Sequence, residues 1–324
     1  LDKLGQYGEA YQSFESGNAV QQNRAGSEKA NKSLYQLHVA QVSQFVRTNM
    51  HNLTVSGGAV DDIKLTFFVG FPRSGTTLME QVLKSRSNII TLDETSPIET
   101  IRRELLQTTS QFDISEAYNV VRDGNKLKHE QFRQLYLEDL AATIDCNPAD
   151  FHVVDKLPLN IVELVLVQWL FPNAKVLVAL RDPRDVCLSN FMQRLELNNA
   201  MANFGRMEDV VKLYAEVMEL WMRYKSCLKL AWLEYRYEDL ITDFETTIRM
   251  VLNFLDEPFD DSVFNFQSQI NVSEVSTPSY RDVKRPLYKS SIGRWANYSQ
   301  EMEMYNDNLL PFVSDFGYPR TMVD

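Results

Sequence analysis

Leu65-Thr-Phe-Phe-Val-Gly70-Phe-Pro-Arg73-Ser-Gly75-Thr-Thr77-Leu-Met-Glu-Gln-Val-Leu83 is the stretch from which the rest of the chain is read. The apolar run 65–69 predicts a buried strand, and the turn after it is rich in Gly, Pro and Ser. Residues 77–83 predict a helix with Leu78, Val82 and Leu83 on its inner face. A strand, a glycine turn and a helix form a cradle for an anion. The turn's amides converge on it, and the helix N-terminus adds partial positive charge. The spacing Gly70-x-x-x-x-Gly75 is that of a Walker A loop, yet Thr76-Thr77 stand where Lys and Ser/Thr should follow. The lysine that grips a nucleoside triphosphate is missing, and a cation sits inside the loop at Arg73. The cradle is kept and the triphosphate grip is lost, which points to a donor with a single charged group to be clasped and transferred.

Outward from this stretch, strands are predicted at 89–95, 151–156, 175–180 and 231–237. Helices are predicted at 97–106, 111–143, 161–170, 182–195 and 209–229, with Leu135, Leu137, Leu140 and Ala141 as core candidates in the second. Strands alternating with helices predict an α/β fold: a P-loop-type, doubly wound parallel sheet of about five strands flanked by helices. The nearly all-apolar run 175–180 suits a buried parallel strand. Ligands of such sheets bind beyond the carboxyl ends of the strands. Four residues are expected on that rim: Arg73 after the first strand, Glu94 ending the second, Lys156 ending the third and Arg181 after the fourth. Three cations gathered there repel one another, so an anionic ligand explains the cluster better than stability does.

The chain has 324 residues, 44% apolar and 24% charged, which fits one large α/β domain with additions and a full core. A net charge of -11 argues against a nucleic-acid partner. An anionic donor must therefore be held by local cations against the overall field. Cys146, Cys187 and Cys227 are too scattered for a disulfide framework or metal pattern, and buried thiols are expected. The most apolar stretch, 161–180, is broken by Glu163, Gln168, Pro172, Asn173 and Lys175, so it predicts helix, turn and strand and no transmembrane segment. A soluble, cytoplasmic chain is expected; a lumenal one stays open because Leu1 is not Met.

At the N-terminus, Leu4-Gly5, Tyr7, Glu9-Ala10 and Phe14 resemble the end of a tetratricopeptide repeat, with an ordinary amphipathic helix as the alternative. Residues 26–32 predict a linker. Residues 33–50 predict an amphipathic helix with Leu34, Leu37, Val42, Phe45 and Val46 on its apolar face, and 55–62 a turn. The N-terminal extension thus spans 1–50. The segment 269–298, rich in Ser, Arg and Lys, predicts a surface loop or a flap over the ligand.

Gly-Phe-Pro-Arg73-Ser-Gly-Thr-Thr resembles the 5′-phosphosulfate loop of sulfotransferases that use 3′-phosphoadenosine 5′-phosphosulfate (PAPS), closest to tyrosylprotein sulfotransferases and to repeat-linked bacterial ones. That resemblance implies a sulfotransferase domain over 64–324, with Arg73, Ser74, Gly75, Thr76 and Thr77 around the phosphosulfate. Arg181-Asp-Pro-Arg-Asp185-Val-Cys-Leu-Ser189 resembles the family's 3′-phosphate segment, which assigns Arg181 and Ser189 to that phosphate. Arg181 paired with Asp182 is the local alternative. In Leu92-Asp93-Glu94-Thr95, similar to an acidic pair before Thr, the second acid, Glu94, carries over as catalytic base, with Asp93 the competing choice. Asp155-Lys156-Leu-Pro158 is similar to the strand end whose lysine stabilises the leaving product, 3′,5′-adenosine bisphosphate (PAP). The alternative there is a Lys156–Asp155 pair. Tyr237-Glu-Asp-Leu240 resembles the stretch whose tyrosine faces adenosine. Lys289-Ser-Ser-Ile-Gly-Arg294-Trp295 resembles the segment closing on the 3′-phosphate through Arg294, with Ser276, Lys284 and Arg285 as further candidates.

The resemblance implies transfer of a sulfuryl group from PAPS to a peptide, glycan or small-alcohol hydroxyl, tyrosine foremost, with no metal required. The competing classes are a P-loop nucleotide kinase or NTPase, against which the missing lysine counts, and an inactive repeat-linked binding module. Protein partners through upstream repeats and a homodimer are the remaining partner expectations.

Overall fold

The run 65–69 becomes the central strand of a five-stranded sheet. The computed structural model describes residues 1–23, 30–50, 63–94, 97–107, 109, 113–266 and 291–321. The strands β1 Lys64–Gly70, β2 Ile89–Asp93, β3 His152–Lys156, β4 Lys175–Leu180 and β5 Ala231–Arg236 are arranged β2-β3-β1-β4-β5. Every neighbouring pair is parallel. The chain leaves β1 toward β2 and leaves β4 toward β5, in opposite directions, so a crevice opens between the ends of β1 and β4.

Side-chain alternation splits the core into two layers. Leu65, Phe67 and Val69 of β1 join Val176, Val178 and Leu180 of β4 on one face, under the helices Leu164–Leu170, Pro183–Met192 and Met207–Cys227. Phe68, Leu177 and Ala179 face the other way, under Thr76–Lys84 and Phe244–Phe254. The first layer also takes in Ala10, Val39, Val42, Phe45 and Val46 from the helices Tyr7–Gln22 and Lys32–Asn49. The first of these helices is further tied down where Asn18 Nδ2 donates to the Phe191 carbonyl at 2.9 Å and Tyr11 stacks on Phe191. Before them, the 3-10 turn Asp2–Leu4 ends at Gly5 in a left-handed conformation.

Some expectations need correction. Burial on Lys32–Asn49 starts at His38, where Glu163 faces the helix, so Leu34 and Leu37 are each 54% exposed. The predicted helix 111–143 is three pieces, Ile114–Ala117, Asn119–Arg122 and Lys126–Thr143. Gly124 in the left-handed region breaks it, and the Asn125 side chain caps the next helix by accepting from the Lys128 amide. That last helix buries His129, Phe132, Tyr136 and Leu140, leaving Ala141 exposed and Leu135 and Leu137 partly buried. Cys146 is exposed, Cys187 buried and Cys227 in between. Among the described residues no helix is long and apolar enough to cross a membrane. The predicted turn 55–62, part of the linker, Thr95, and residues 269–290 with Ser276, Lys284 and Arg285 lie outside the described residues.

Candidate active site

The loop after β1 is tight for a reason each glycine makes visible. A Cβ on Gly70 would lie 2.7 Å from the Ala179 carbonyl oxygen, so only glycine lets β1 end this close to β4. Gly75, at φ 89°, caps the helix Thr76–Lys84, and a Cβ there would strike the Tyr237 ring at 2.3 Å. As at any helix start, the first amides lack an intrahelical acceptor and are available to an anion at the loop. Ser74, Thr76 and Thr77 are buried beneath them. Arg73, at φ 72°, holds a left-handed conformation that costs a non-glycine residue roughly 1–2 kcal/mol.

The loop and the segment after β4 are joined directly. Arg73 Nε donates to Ser189 Oγ at 3.1 Å, and Arg181 Nη1 donates to the Arg73 carbonyl at 3.1 Å. Arg181 also donates to the Ser291 carbonyl at 2.6 Å and lies 5.0 Å from the Tyr237 ring centroid. Its Nε is buried without a hydrogen-bond partner. Tyr237 and Ser291 share a hydroxyl hydrogen bond of 2.9 Å. The local Arg181–Asp182 pair does not form: Asp182 binds Arg184 instead, through both carboxylate oxygens at 2.9 and 2.7 Å. Arg184 in turn donates to the carbonyls of Pro319 and Arg320, so it anchors the C-terminal turn.

At the end of β3, successive side chains point to opposite faces. Asp155 turns away and accepts from Tyr136 Oη at 2.8 Å, which rules out its pairing with Lys156. Lys156 is fully buried, and three carboxylates surround its Nζ: Asp93 at 2.5 Å, Glu80 at 3.0 Å and Glu94 at 3.3 Å. Burial works against the ammonium, but Glu80, Glu94 and Asp93 outweigh it and hold Lys156 charged. Glu94 is itself in the left-handed region, at φ 53°, and its amide donates to the Lys156 carbonyl. Asp93 takes the shorter contact with the ammonium. Glu94 takes the longer one and leaves 43% of its side chain open to solvent.

Sequence reasoning missed Glu80. It is 1% exposed on the inner side of the loop helix, and burial pushes its carboxyl up to about 7 although Lys156 pulls the other way. A charged residue among Leu78, Met79, Val82 and Leu83 was the available signal, since acids are rarely buried without a partner. Asp185 was also missed. It accepts from the amides of Gly293 at 2.7 Å and Trp295 at 2.8 Å, which docks the segment 291–295 onto the helix Pro183–Met192. Arg294 lies within that segment, between the two docked amides, but its guanidinium pairs with Asp2 of the N-terminal extension at 2.9 Å.

A parallel sheet with a strand–loop–helix anion cradle and lysine and arginines at its switch point defines a phosphate-loop α/β protein. The family model described as "Sulfotransferase family" matches residues 66–261, and the chain belongs to that family. It is 26% identical over 271 residues to protein-tyrosine sulfotransferase A of Caenorhabditis elegans, covering 78% of this chain and 66% of the relative. It is 26% identical to the protein-tyrosine sulfotransferase of Drosophila melanogaster, covering 79% of this chain and 52% of the relative. An Aquifex aeolicus protein described only as uncharacterized is 27% identical over 272 residues, covering 76% of this chain and 34% of the relative. The chain thus spans between a third and two thirds of the length of these relatives. The sulfotransferase domain of the Synechococcus PCC 7002 olefin synthase shares the fold, with a TM-score of 0.51 and 19% identity over 72% of this chain and 86% of that one.

Proposed function

We propose that this chain transfers a sulfuryl group from PAPS to an acceptor hydroxyl by in-line displacement, with Glu94 as the base. One observation carries the proposal. Arg73 Nε on Ser189 Oγ and Arg181 on the Arg73 carbonyl bring the loop and the segment after β4 into direct contact, so one nucleotide with charge at both ends spans them. The fit is specific: the amides at the head of Thr76–Lys84 and the Arg73 side chain suit the phosphosulfate, and Arg181 with Ser189 suits the 3′-phosphate. Tyr237, packed on Gly75, suits the adenosine side.

When bound, PAPS supplies the activated sulfuryl group. Glu94 takes the acceptor proton, because Asp93 is engaged by the shorter Lys156 contact. Lys156 and Arg73 stabilise charge growing on the departing oxygen. The positive field comes from side chains and amides, so no metal has a role to fill. The relatives named protein-tyrosine sulfotransferases favour a tyrosine hydroxyl as acceptor.

Labelled-sulfate transfer from PAPS to tyrosyl peptides, glycans and phenols tests this. Transfer to tyrosyl peptides is expected, undiminished by EDTA. Glu94→Gln lowers kcat by about 100-fold or more while PAP binding stays close to wild type, and Asp93→Asn costs less. A Glu94→Gln enzyme with full turnover beside an inactive Asp93→Asn would move the base to Asp93. ATP bound in preference to PAP would instead favour a nucleotide kinase.

A further inference from the structure

Glu80 is the group the mechanism leaves without a task. It sits on the helix that opens at the anion loop, yet it reaches across to the end of β3, where its Oε2 lies 3.0 Å from Lys156 Nζ. Thr91 of β2 donates to its other oxygen at 3.2 Å. Glu80 is 1% exposed and Lys156 fully buried, so neither reaches solvent for compensation. The titratable groups facing Glu80 are Lys156 from β3 and Asp93 from β2, and Glu94 shares the same ammonium.

We propose that Glu80 is the positioning residue that holds the Lys156 ammonium in the resting crevice, and that it takes up a proton when a donor anion draws that ammonium away. The reason is electrostatic. With one ammonium among Glu80, Asp93 and Glu94, the cluster is net negative, and it opposes an incoming anion. Lys156 turning toward the anion strips Glu80 of its counterion. A buried carboxylate without a partner is far costlier than a neutral carboxyl, so a solvent proton binds to it. The direction of its shift agrees: burial already pushes Glu80 up to about 7, and Lys156 is the main group holding it down. Once Glu80 is neutral, the Lys156 charge is no longer offset from behind and acts on the donor. One proton enters from solvent on binding and returns to solvent when the nucleotide leaves.

Because this rests on the PAPS assignment, the test begins with PAP binding to the full chain, followed by calorimetry at pH 8 in buffers of different ionisation enthalpy. Phosphate groups, whose second pKa is about 6, are already ionised there. Wild type is expected to take up as much as about one proton per PAP, as a carboxyl pushed further up from about 7 by loss of its counterion requires. Glu80→Gln takes up none and still binds PAP, and Glu80→Asp restores part of the uptake. Thr91→Val, which keeps every charge, removes a bond to the ionised form and moves the uptake maximum to higher pH. No PAP binding by wild type would sink the PAPS assignment itself. Binding without proton uptake, or uptake that persists in Glu80→Gln, would overturn the role of Glu80 alone.

Discussion

Gly75 shows how one missing methyl shapes the site. It occupies a left-handed conformation at φ 89°, and its absent Cβ leaves the space that the Tyr237 ring fills. Gly75→Ala therefore combines backbone strain with a steric clash against a ring that is held by Ser291 and Arg181. A stability loss of about 1–3 kcal/mol is expected from the strain, read as a lower melting temperature. PAP affinity should fall further than stability does, because Tyr237 must move and the first helical amides move with Thr76. Calorimetry of the variant at a temperature where it is fully folded separates the two effects. The residue types at this scale were legible in the chain, since the loop glycines, Arg73, Lys156 and Arg181 all stand at strand ends. Their backbone states were not. Arg73 and Glu94 are two of only three described non-glycine residues at positive φ, Asp256 being the third, and nothing in a side chain's identity announces such strain. Glu80 was equally hidden, because its partner lies 76 positions away on a strand that pairs with β1 and β2.

At the scale of elements, a polar clasp beside the crevice adds to the core packing of Trp295 and Tyr298. Asp185 gives its two oxygens to the amides of Gly293 and Trp295, and Arg181 reaches the Ser291 carbonyl from the same side. Asp185→Ala leaves those amides without acceptors, at about 1–3 kcal/mol for each one that stays buried. The melting temperature should drop accordingly, and PAP should bind more weakly because Arg181 loses the segment that fixes it. Asp185→Asn, which keeps one acceptor oxygen, should fall between Ala and wild type. The strands were readable because short apolar runs bounded by turn residues have few other uses in a buried parallel sheet. Their observed limits differ from the predicted ones by only a residue or two, as at β2, which stops at Asp93. The helical stretch 111–143 misled because its breaks depend on Gly124 and the Asn125 cap, local features that periodicity averages over. The docking of 291–295 depends on Asp185, a buried acid more than 100 positions away, and no local pattern reports such a contact.

Across the whole molecule, buried acids set how stability depends on pH. Burial raises Glu80 and Asp155 each to about 7 and Asp185 to about 6. A carboxyl raised in the folded state binds protons more tightly there than when unfolded, so its ionisation costs stability at neutral pH. That cost is lifted as pH falls through 7 and 6 toward the ordinary carboxyl range. His152, lowered by burial, acts in the opposite direction below about 6.5 and offsets only part of that gain. Glu163 differs again. Burial opposes its charge, yet His38 Nε2 at 2.5 Å, Arg102 and Tyr118 hold it down to about 2. Its contribution is present above the unfolded value near 4.5 and is lost as pH falls toward 2. Melting temperature measured from pH 3 to pH 9 should therefore climb on acidification from 8, peak between about 5 and 6, and fall below about 4.5. Because His38 belongs to the helix Lys32–Asn49 and Glu163 to the segment just beyond Lys156, the acid limb reports on the seat of the N-terminal helices. His38→Ala removes the largest force holding Glu163 ionised, so it should lower the melting temperature at pH 6 and flatten the fall below 4.5. A variant whose acid limb stayed as steep as wild type would place the source of that limb in other carboxylates.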